Sequence, residues 1–246
     1  MILKDKVAII TGSSRGIGET TALYFAREGA KVVTNGRNFE TCSRTAGRIR
    51  DNGGEAHAVE ADVGSLSDRD KLVSETIEKF GRIDVLVNNA AVTGSVRALE
   101  ITEDEWDAVQ KVNIRGAFFL TQKVAKHMAE NGGGAIVNVS SIYYTGSKGQ
   151  IHYDCSKGAL VSMTRSLAEE LAMFNIRVNC VAPGYIDTDM PSIIPDKVIQ
   201  KALSVTPIRR LGRTGEVASV IAFLASDLAS YITAQTVHVN GGWYRN

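Results

Sequence analysis

Apolar positions in this chain cluster in seven short runs. Several of the runs are rich in β-branched residues and almost continuously apolar, which is typical of strands buried on both faces of a parallel sheet. They are VAIIT (7–11), KVVTN (31–35), EAHAVE (55–60), DVLVN (84–88), AIVNVS (135–140), IRVNCVA (176–182) and TVHVN (236–240).

Longer segments with helical spacing of apolar residues separate these runs, as in 19–29, 68–81, 103–130 and 156–174. Alternation of strands and helices predicts right-handed crossovers between parallel strands. We therefore predict an α/β fold in which residues 1–246 form one domain. Its core is a doubly wound parallel sheet, a Rossmann fold, with helices on both faces.

One segment, residues 185–215, departs from this alternation. It contains Pro191, Pro195 and Pro207 and few regular strand or helix signals. A long irregular segment inside a compact domain is often a lid over a ligand. We predict that residues 187–211 close over a substrate.

Composition and charge narrow the functional class. Hydrophobic residues make up 44% of the 246 residues, which supplies a large core, and the formal net charge of +1 favours neither nucleic acid nor a membrane surface as a partner. The three cysteines are far apart and lack metal-ligand spacing, so we expect reduced thiols, no metal and a cytoplasmic location.

The first strand runs directly into a glycine-rich turn, TGSSRGIG, from Thr11 to Gly18. Glycines at 12, 16 and 18 allow a tight turn and a close approach of the backbone to a pyrophosphate. The following helix would point its positive N-terminal end at the phosphates. This context predicts a dinucleotide site rather than an ordinary glycine-rich turn.

The end of the second strand bears on which dinucleotide binds. An acidic residue there usually holds the ribose 2′-hydroxyl of NAD, whereas an arginine accepts the 2′-phosphate of NADP. Here Gly36 takes the acidic position, Arg37 follows it, and Arg15 lies in the glycine-rich turn. The charges favour NADP(H) over NAD(H), although both arginines are also compatible with solvated surface positions.

A second motif, Tyr153-x-x-x-Lys157, places two side chains one helical turn apart. An ammonium close to a phenol favours the phenolate, so we expect Lys157 to lower the pKa of Tyr153 towards neutrality. The preceding strand ends in Ser140 and Ser141, either of which would offer a hydroxyl to a substrate oxygen. Asn113, on an otherwise apolar helix, is either a catalytic amide or a structural one.

These motifs together resemble the short-chain dehydrogenase/reductase family over the whole chain. The resemblance rests on Thr11-Gly12-x-x-x-Gly16-Ile17-Gly18, Asn88-Asn89-Ala90, Asn113, Ser141, Tyr153-x-x-x-Lys157 and Pro183-Gly184. Within the family the chain is most similar to 3-oxoacyl-[acyl-carrier-protein] reductases and their relatives. The resemblance implies a homotetramer.

The resemblance also implies roles for individual residues. Tyr153 would be the acid or base, Lys157 would hold the nicotinamide ribose, and Ser141 would orient the carbonyl oxygen. Asn113 would hold a water that connects Lys157 with solvent. The remaining residues would contact the dinucleotide: Gly12, Ser14, Arg15, Gly16, Ile17, Gly18, Arg37, Asp62, Val63, Asn89, Pro183, Gly184, Ile186 and Thr188.

Two features concern the substrate. Reductases that act on acyl carrier protein share basic residues just before the fifth strand and just after the helix of Tyr-x-x-x-Lys. This chain has Glu130-Asn131-Gly132 and Met173-Phe174-Asn175 at those places. An acidic carrier would find little attraction there. Tyr143 and Tyr144 follow the serines and would either line the substrate cleft or be simply buried.

The function that follows is hydride transfer between NADP(H) and a ketone or secondary alcohol. The substrate would be a small molecule, either like a 3-oxoacyl thioester or another small carbonyl compound. The alternative is a non-catalytic NADP-binding module that senses redox state or serves a structural role.

Overall fold

The computed structural model describes residues 1–188 and 196–243 and contains a seven-stranded parallel sheet. Its strands are β1 (Val7–Ile10), β2 (Lys31–Gly36), β3 (Ala56–Glu60), β4 (Val85–Asn88), β5 (Gly134–Val139), β6 (Ile176–Pro183) and β9 (Thr236–Val239). Two further strands, β7 (Ile186–Asp187) and β8 (Gly212–Arg213), form a separate parallel pair.

Helices connect the strands. They are α1 (Gly16–Arg27), α2 (Phe39–Asp51), α3 (Leu66–Phe80), α4 (Glu103–Gln110), α5 (Ala117–Glu130), α6 (Ile151–Leu171), α7 (Asp196–Val205) and α8 (Thr214–Ala225). None of these helices is long and apolar enough to cross a bilayer.

The strand order is β3-β2-β1-β4-β5-β6-β9, with every neighbouring pair parallel. The chain starts at β1, works outwards to β3, and then returns across β1 to β4. The order therefore reverses between β1 and β4. Ligands of open α/β sheets bind beyond the carboxyl ends of the strands at such a reversal.

Two apolar clusters cover the two faces of the sheet. One packs α1, α2 and α8 against alternate strand residues such as Ile10 and Val87. The other packs α3, α5 and α6 against the residues between them, such as Ile9 and Leu86. Because both sets of strand side chains are buried, the strands read as continuous apolar runs, and the predicted doubly wound sheet is confirmed.

All seven predicted strands are present, with ends that shift by a residue. Two helices, α2 and α8, were not singled out by the apolar pattern. The segment 185–215, in which the sequence showed few strand or helix signals, contains α7 and the short strands β7 and β8. The predicted lid, 187–211, falls partly outside the described residues.

The predicted helix over 103–130 is interrupted. Between α4 and α5 the chain forms one π-helical turn, Lys111–Gly116. Gly116, the last residue of this turn, packs against the loop between β3 and α3. A methyl group on Gly116 would lie only 2.7 Å from the Val63 carbonyl oxygen. In a π-helical turn some backbone amide and carbonyl groups do not make the usual α-helical hydrogen bonds, and such turns are frequent at functional sites.

Candidate active site

The turn between β1 and α1 is shaped by glycines. Gly12 and Gly16 have positive φ angles of 63° and 60°, which side chains disfavour. Gly18 has no room for a side chain, because a methyl group there would overlap the Gly12 carbonyl oxygen and the Asn89 amide. That amide fixes the turn by donating to the carbonyls of Thr11 and Gly12, at 2.9 and 3.0 Å.

A cavity of about 510 Å³ lies over this turn, at the reversal of strand order. It has the volume range of a small-molecule or cofactor pocket. Eleven of the sixteen residues predicted to contact a dinucleotide line it: Gly12, Ser14, Arg15, Gly16, Ile17, Gly18, Arg37, Asp62, Val63, Asn89 and Thr188. The structure thus brings most of the predicted cofactor residues together.

Polar groups in this cavity fit a dinucleotide. The hydroxyl oxygen of Ser14 is buried and has no hydrogen-bond partner among the described residues. The N-cap residue of α1, Arg15, makes no capping hydrogen bond to a described residue through its side chain. The amide groups of the first helical turn are therefore available to an anion, as a pyrophosphate requires.

The far end of the cavity is cationic. Gly36 closes β2 there, and a side chain on Gly36 would collide with the Ser14 hydroxyl. An acidic side chain at this position would require the Ser14 hydroxyl to move, and glycine supplies no carboxylate to a ribose hydroxyl. Arg15 and Arg37 line this end, and α2 adds a third arginine, Arg44, which was not among the predicted cofactor residues.

The side chains of Tyr153 and Lys157 lie on α6, one turn apart as predicted. Lys157 is 2% exposed, and its ammonium donates a 2.7 Å hydrogen bond to the Val139 carbonyl at the end of β5. Its Nζ lies 5.5 Å from the centre of the Tyr153 ring. Burial lowers the pKa of Lys157 from 10.5 to about 8.

The pKa of Tyr153 shifts in the direction opposite to our expectation. Burial raises the pKa of Tyr153, the charge of neighbouring Asp154 raises it further, and a hydrogen bond from Ser141 lowers it only in part. The expected lowering by Lys157 is wrong for this structure. The cost of moving a phenolate out of water outweighs the hydrogen bond that stabilises it.

The two candidate serines point to different partners. Ser140 donates its hydroxyl to the backbone carbonyl of Lys157 at 2.8 Å and so holds α6 against β5. Ser141 is the serine that hydrogen-bonds Tyr153. Geometry therefore separates a structural hydroxyl at 140 from a site hydroxyl at 141.

Asn113 sits in the π-helical turn and is 1% exposed. Its amide nitrogen donates to the Val92 carbonyl and the Ser156 hydroxyl, both at 2.9 Å, and its amide oxygen accepts from the Val92 amide at 2.8 Å. The side chain thus joins the loop after β4 to α6. This arrangement matches the structural amide of the two alternatives.

Of the residues predicted on the nicotinamide side, Thr188 lines the cavity. Its methyl group faces Gly16, where a Cβ atom would lie 3.5 Å away from it. Pro183 is the last residue of β6, and Gly184 follows it and donates its amide to the Val239 carbonyl at 2.9 Å. Ile186 lies in β7. These three do not line the described cavity, and neither do Tyr153 and Lys157.

Comparison with known proteins gives a consistent result. A family model described as enoyl-(acyl carrier protein) reductase matches residues 12–244. The 3-oxoacyl-[acyl-carrier-protein] reductase FabG of Thermotoga maritima is 43% identical over 98% of this chain and 99% of its own. The chain belongs to the short-chain dehydrogenase/reductase family.

Other members of the family are similar over comparable lengths. The (2S)-[(R)-hydroxy(phenyl)methyl]succinyl-CoA dehydrogenase subunit BbsD of Thauera aromatica is 41% identical over 98% of both chains. A solved 7α-hydroxysteroid dehydrogenase, in complex with NADH and 7-oxo glycochenodeoxycholic acid, superimposes with a TM-score of 0.94. It is 37% identical and covers 98% of this chain and 94% of its own.

A solved putative short-chain alcohol dehydrogenase from Sinorhizobium meliloti 1021 also has a TM-score of 0.94. It is 36% identical and covers 98% of this chain and 97% of its own. This short-chain dehydrogenase/reductase is therefore an oxidoreductase acting on CH–OH and C=O groups, from a family that uses nicotinamide cofactors.

Among the cavity residues of this short-chain dehydrogenase/reductase that were not predicted from the sequence, one is charged, Arg44. Arg44 lies on α2 one turn beyond Thr41, whose amide donates to the N-cap side chain of Asn38 at 3.0 Å. That cap starts α2 directly after Arg37, so Arg37 and Arg44 lie on the same wall of the cavity. The capping residue Asn38 was the signal that could have placed both.

Proposed function

We propose that this protein is an NADP(H)-dependent carbonyl reductase whose acid/base residue is Tyr153. The observation that carries the proposal is the grouping of Tyr153, Ser141 and Lys157 at the carboxyl end of β5, next to β4, which frames the cavity together with β1. Cofactor binding alone requires neither this partly buried tyrosine nor the serine hydroxyl beside it.

The cofactor, when bound, supplies the hydride that reduces the carbonyl carbon. The protein supplies the proton. The phenol of Tyr153 donates its proton to the carbonyl oxygen as negative charge develops there, and Ser141 donates a hydrogen bond to the same oxygen. The phenolate that remains then regains a proton from solvent. In the oxidative direction the same tyrosine accepts the proton of the alcohol.

The raised pKa of Tyr153 favours the reductive direction. A phenol with a raised pKa keeps its proton at neutral pH, which is the state that a general acid needs. Lys157, with a pKa of about 8, is still largely charged at pH 7 and stabilises the phenolate formed after proton transfer. It also offers hydrogen bonds to the nicotinamide ribose.

Asn113 acts as a positioning residue in this proposal. Its side chain is fully engaged by Val92 and Ser156, so it holds the cavity loop against the helix that carries Tyr153. The π-helical turn around it leaves backbone groups out of the α-helical pattern. A water held there by the Asn113 backbone would connect Lys157 with solvent.

Three guanidinium groups support NADP(H) as the cofactor. Arg15, Arg37 and Arg44 line the end of the cavity where the adenosine ribose would lie, and planar guanidinium groups match a phosphate through paired hydrogen bonds. Gly36 offers no carboxylate to a 2′-hydroxyl. The balance of charge favours a 2′-phosphate.

For the substrate we propose a small, free carbonyl compound rather than one attached to acyl carrier protein. A 3-oxoacyl thioester is the substrate that the name of the Thermotoga maritima relative suggests. However, the surface after α6 presents Met173, 80% exposed, and Phe174, 41% exposed, where a basic pair would attract an acidic carrier.

The test is turnover of wild type and a Tyr153→Phe variant with NADPH and a panel of ketones. We expect the variant to bind NADPH within about twofold of wild type and to lose turnover by about a hundredfold to ten-thousandfold. Tyr231→Phe, at a fully exposed tyrosine, is the matched control and should behave as wild type. Full turnover by Tyr153→Phe would contradict the mechanism. NADPH binding without turnover of any ketone by wild type would favour a binding module instead.

A further inference from the structure

Three aromatic side chains meet at the carboxyl edge of the sheet and form what we call the aromatic corner: Tyr143, Tyr185 and Trp243. The rings of Tyr185 and Trp243 are stacked, with centroids 5.0 Å apart and an interplanar angle of 13°. Tyr143 meets both edge-on, at 6.0 Å from Tyr185 and 6.1 Å from Trp243. The hydroxyl groups of Tyr143 and Tyr185 hydrogen-bond each other.

The corner adjoins the catalytic residues. Tyr143 is two residues beyond Ser141, and its amide donates to the Ser141 hydroxyl at 3.2 Å. Tyr185 follows Gly184 at the end of β6, and Trp243 follows β9, the strand that pairs with β6. The three rings therefore follow the neighbouring strands β5, β6 and β9 and lie at the sheet edge that also holds Ser141 and Tyr153.

The corner is also held rigidly. Tyr144 hydrogen-bonds His238 of β9 at 3.1 Å, and this contact fixes the turn that carries Tyr143. Asn240 donates to the Trp243 carbonyl at 2.5 Å. Trp243 is 8% exposed, whereas Tyr143 and Tyr185 are only partly buried. The tryptophan thus packs face to face on Tyr185 and perpendicular to Tyr143, and both tyrosines keep part of their surface accessible.

The corner contains three of the nine tyrosine and tryptophan residues of the chain. Rings held in stacked and edge-on arrangements interact with another ring more favourably than area alone predicts, because the ring faces are negative and the ring edges positive. A saturated chain gains no such contribution.

We propose that the aromatic corner is the subsite for the larger substituent of the carbonyl substrate and that this substituent is a planar aromatic ring. The proposal rests on the proposed function, because it places the ring next to a carbonyl that Ser141 and Tyr153 address. The ring packs on Tyr143 and Tyr185, and Trp243 keeps them in place. The substrate class is therefore a free ketone, or its secondary alcohol, with an aryl group close to the reacting carbon.

The test compares phenylacetone with cyclohexylacetone, which have the same carbon skeleton but a flat and a puckered ring. With NADPH we expect kcat/KM to be about five- to tenfold higher for phenylacetone. Tyr185→Leu should bring the ratio close to one, whereas Tyr185→Phe, which keeps the ring, should retain it. Tyr231→Leu, at an exposed tyrosine, is the control and should not change the ratio.

Equal use of the two ketones by wild type would overturn the proposal, as would a preference that survives Tyr185→Leu. Failure of both ketones while other ketones are reduced would also overturn it and leave the proposed function intact. The corner would then serve only to anchor the end of the chain.

A binding measurement covers the remaining outcome, in which no ketone is reduced and the proposed function fails. In a Trp106→Phe background Trp243 is the only tryptophan. Titration with phenylacetone in the presence of NADP⁺ should change the fluorescence of Trp243, and the change should saturate as the ketone concentration rises. Cyclohexylacetone should bind several-fold more weakly. An unchanged signal with both would overturn the aromatic subsite independently of activity.

Discussion

The cofactor cradle and the catalytic centre lie at the same edge of one sheet but are built in opposite ways. The cradle, around the turn between β1 and α1, depends on glycines that have no side chain and on polar groups that have no hydrogen-bond partner among the described residues. Gly12 and Gly18 leave space for a ligand or for backbone contact, Ser14 keeps a buried hydroxyl without a described partner, and Arg37 is exposed. Its polar groups are available to bind a ligand.

The catalytic centre is filled and its polar groups are already engaged. Lys157 is buried and bound to the Val139 carbonyl, Ser140 to the backbone of α6, and Asn113 to two neighbours. Burial shifts the pKa of both Lys157 and Tyr153 towards their uncharged forms. The cradle therefore depends on space, whereas the catalytic centre depends on desolvated charge, and different substitutions should damage each.

The largest effect should come from adding one methyl group to the cradle. In Gly18→Ala the new methyl overlaps the Gly12 carbonyl oxygen and the Asn89 amide, which are backbone or backbone-bound and have little freedom to move. We expect a loss of about 3 kcal/mol in the free energy of unfolding and at least a hundredfold loss of NADPH affinity. Urea denaturation and fluorescence titration measure the two effects.

Gly47→Ala is the matched control, because Gly47 lies inside α2 and a methyl group there meets only the end of the Arg50 side chain, at 4.0 Å. It should stabilise the protein by about 0.5–1 kcal/mol, since alanine is the better helix former. Equal effects of the two substitutions would show that the cradle is not defined by space.

The catalytic centre should respond in its pH dependence. The pKa of Lys157 is about 8 in the folded protein and 10.5 as a model side chain. Between those pH values the unfolded chain binds more protons than the folded protein, so stability rises with pH as the cost of burying the ammonium disappears. For Lys157 alone the rise is about 3 kcal/mol between pH 7 and pH 10.5.

Lys157→Met removes this contribution and leaves every other titrating group in place. We expect the stability of wild type to gain about 3 kcal/mol relative to the variant over that range, measured by urea denaturation at each pH. Parallel pH profiles of the two proteins would mean that Lys157 is not desolvated in the folded state, and the contrast between cradle and catalytic centre would fail.

The same contrast explains what the sequence could and could not predict. The strands and the glycine-rich turn were predicted because their signals are local. A strand buried on both faces has few polar residues, and a turn such as Gly12 to Gly18 must use glycine wherever the backbone comes close. The spacing of Tyr153 and Lys157 is equally local.

The features that were wrong, left open or missed depend on tertiary structure. The pKa of Tyr153 is set by how much protein surrounds it, which no spacing of residues reveals. The difference between Ser140 and Ser141 depends on which hydroxyl meets α6. Arg44 joins the cradle only because α2 begins at Phe39, and α2 buries just four side chains, so its apolar pattern was too weak to predict it.

The smallest effects should come from the exposed arginines of the cradle. A guanidinium in solvent contributes modestly to binding a phosphate, so Arg37→Ala and Arg44→Ala should each weaken NADPH binding by about tenfold and leave NADH binding unchanged. Arg48→Ala is the matched control. Arg48 lies one turn beyond Arg44 on α2 but hydrogen-bonds Glu19 at 2.5 Å and does not line the described cavity.

Fluorescence titrations at low and high salt sharpen this last test. If the arginines recognise a 2′-phosphate, the preference of wild type for NADPH should decrease as salt screens exposed charges, while NADH binding stays nearly constant. In Arg37→Ala that salt dependence should be smaller, because one of the screened charges is gone. NADH binding as tight as NADPH binding in wild type would make these arginines ordinary surface charges. The cradle would then be defined by its glycines alone.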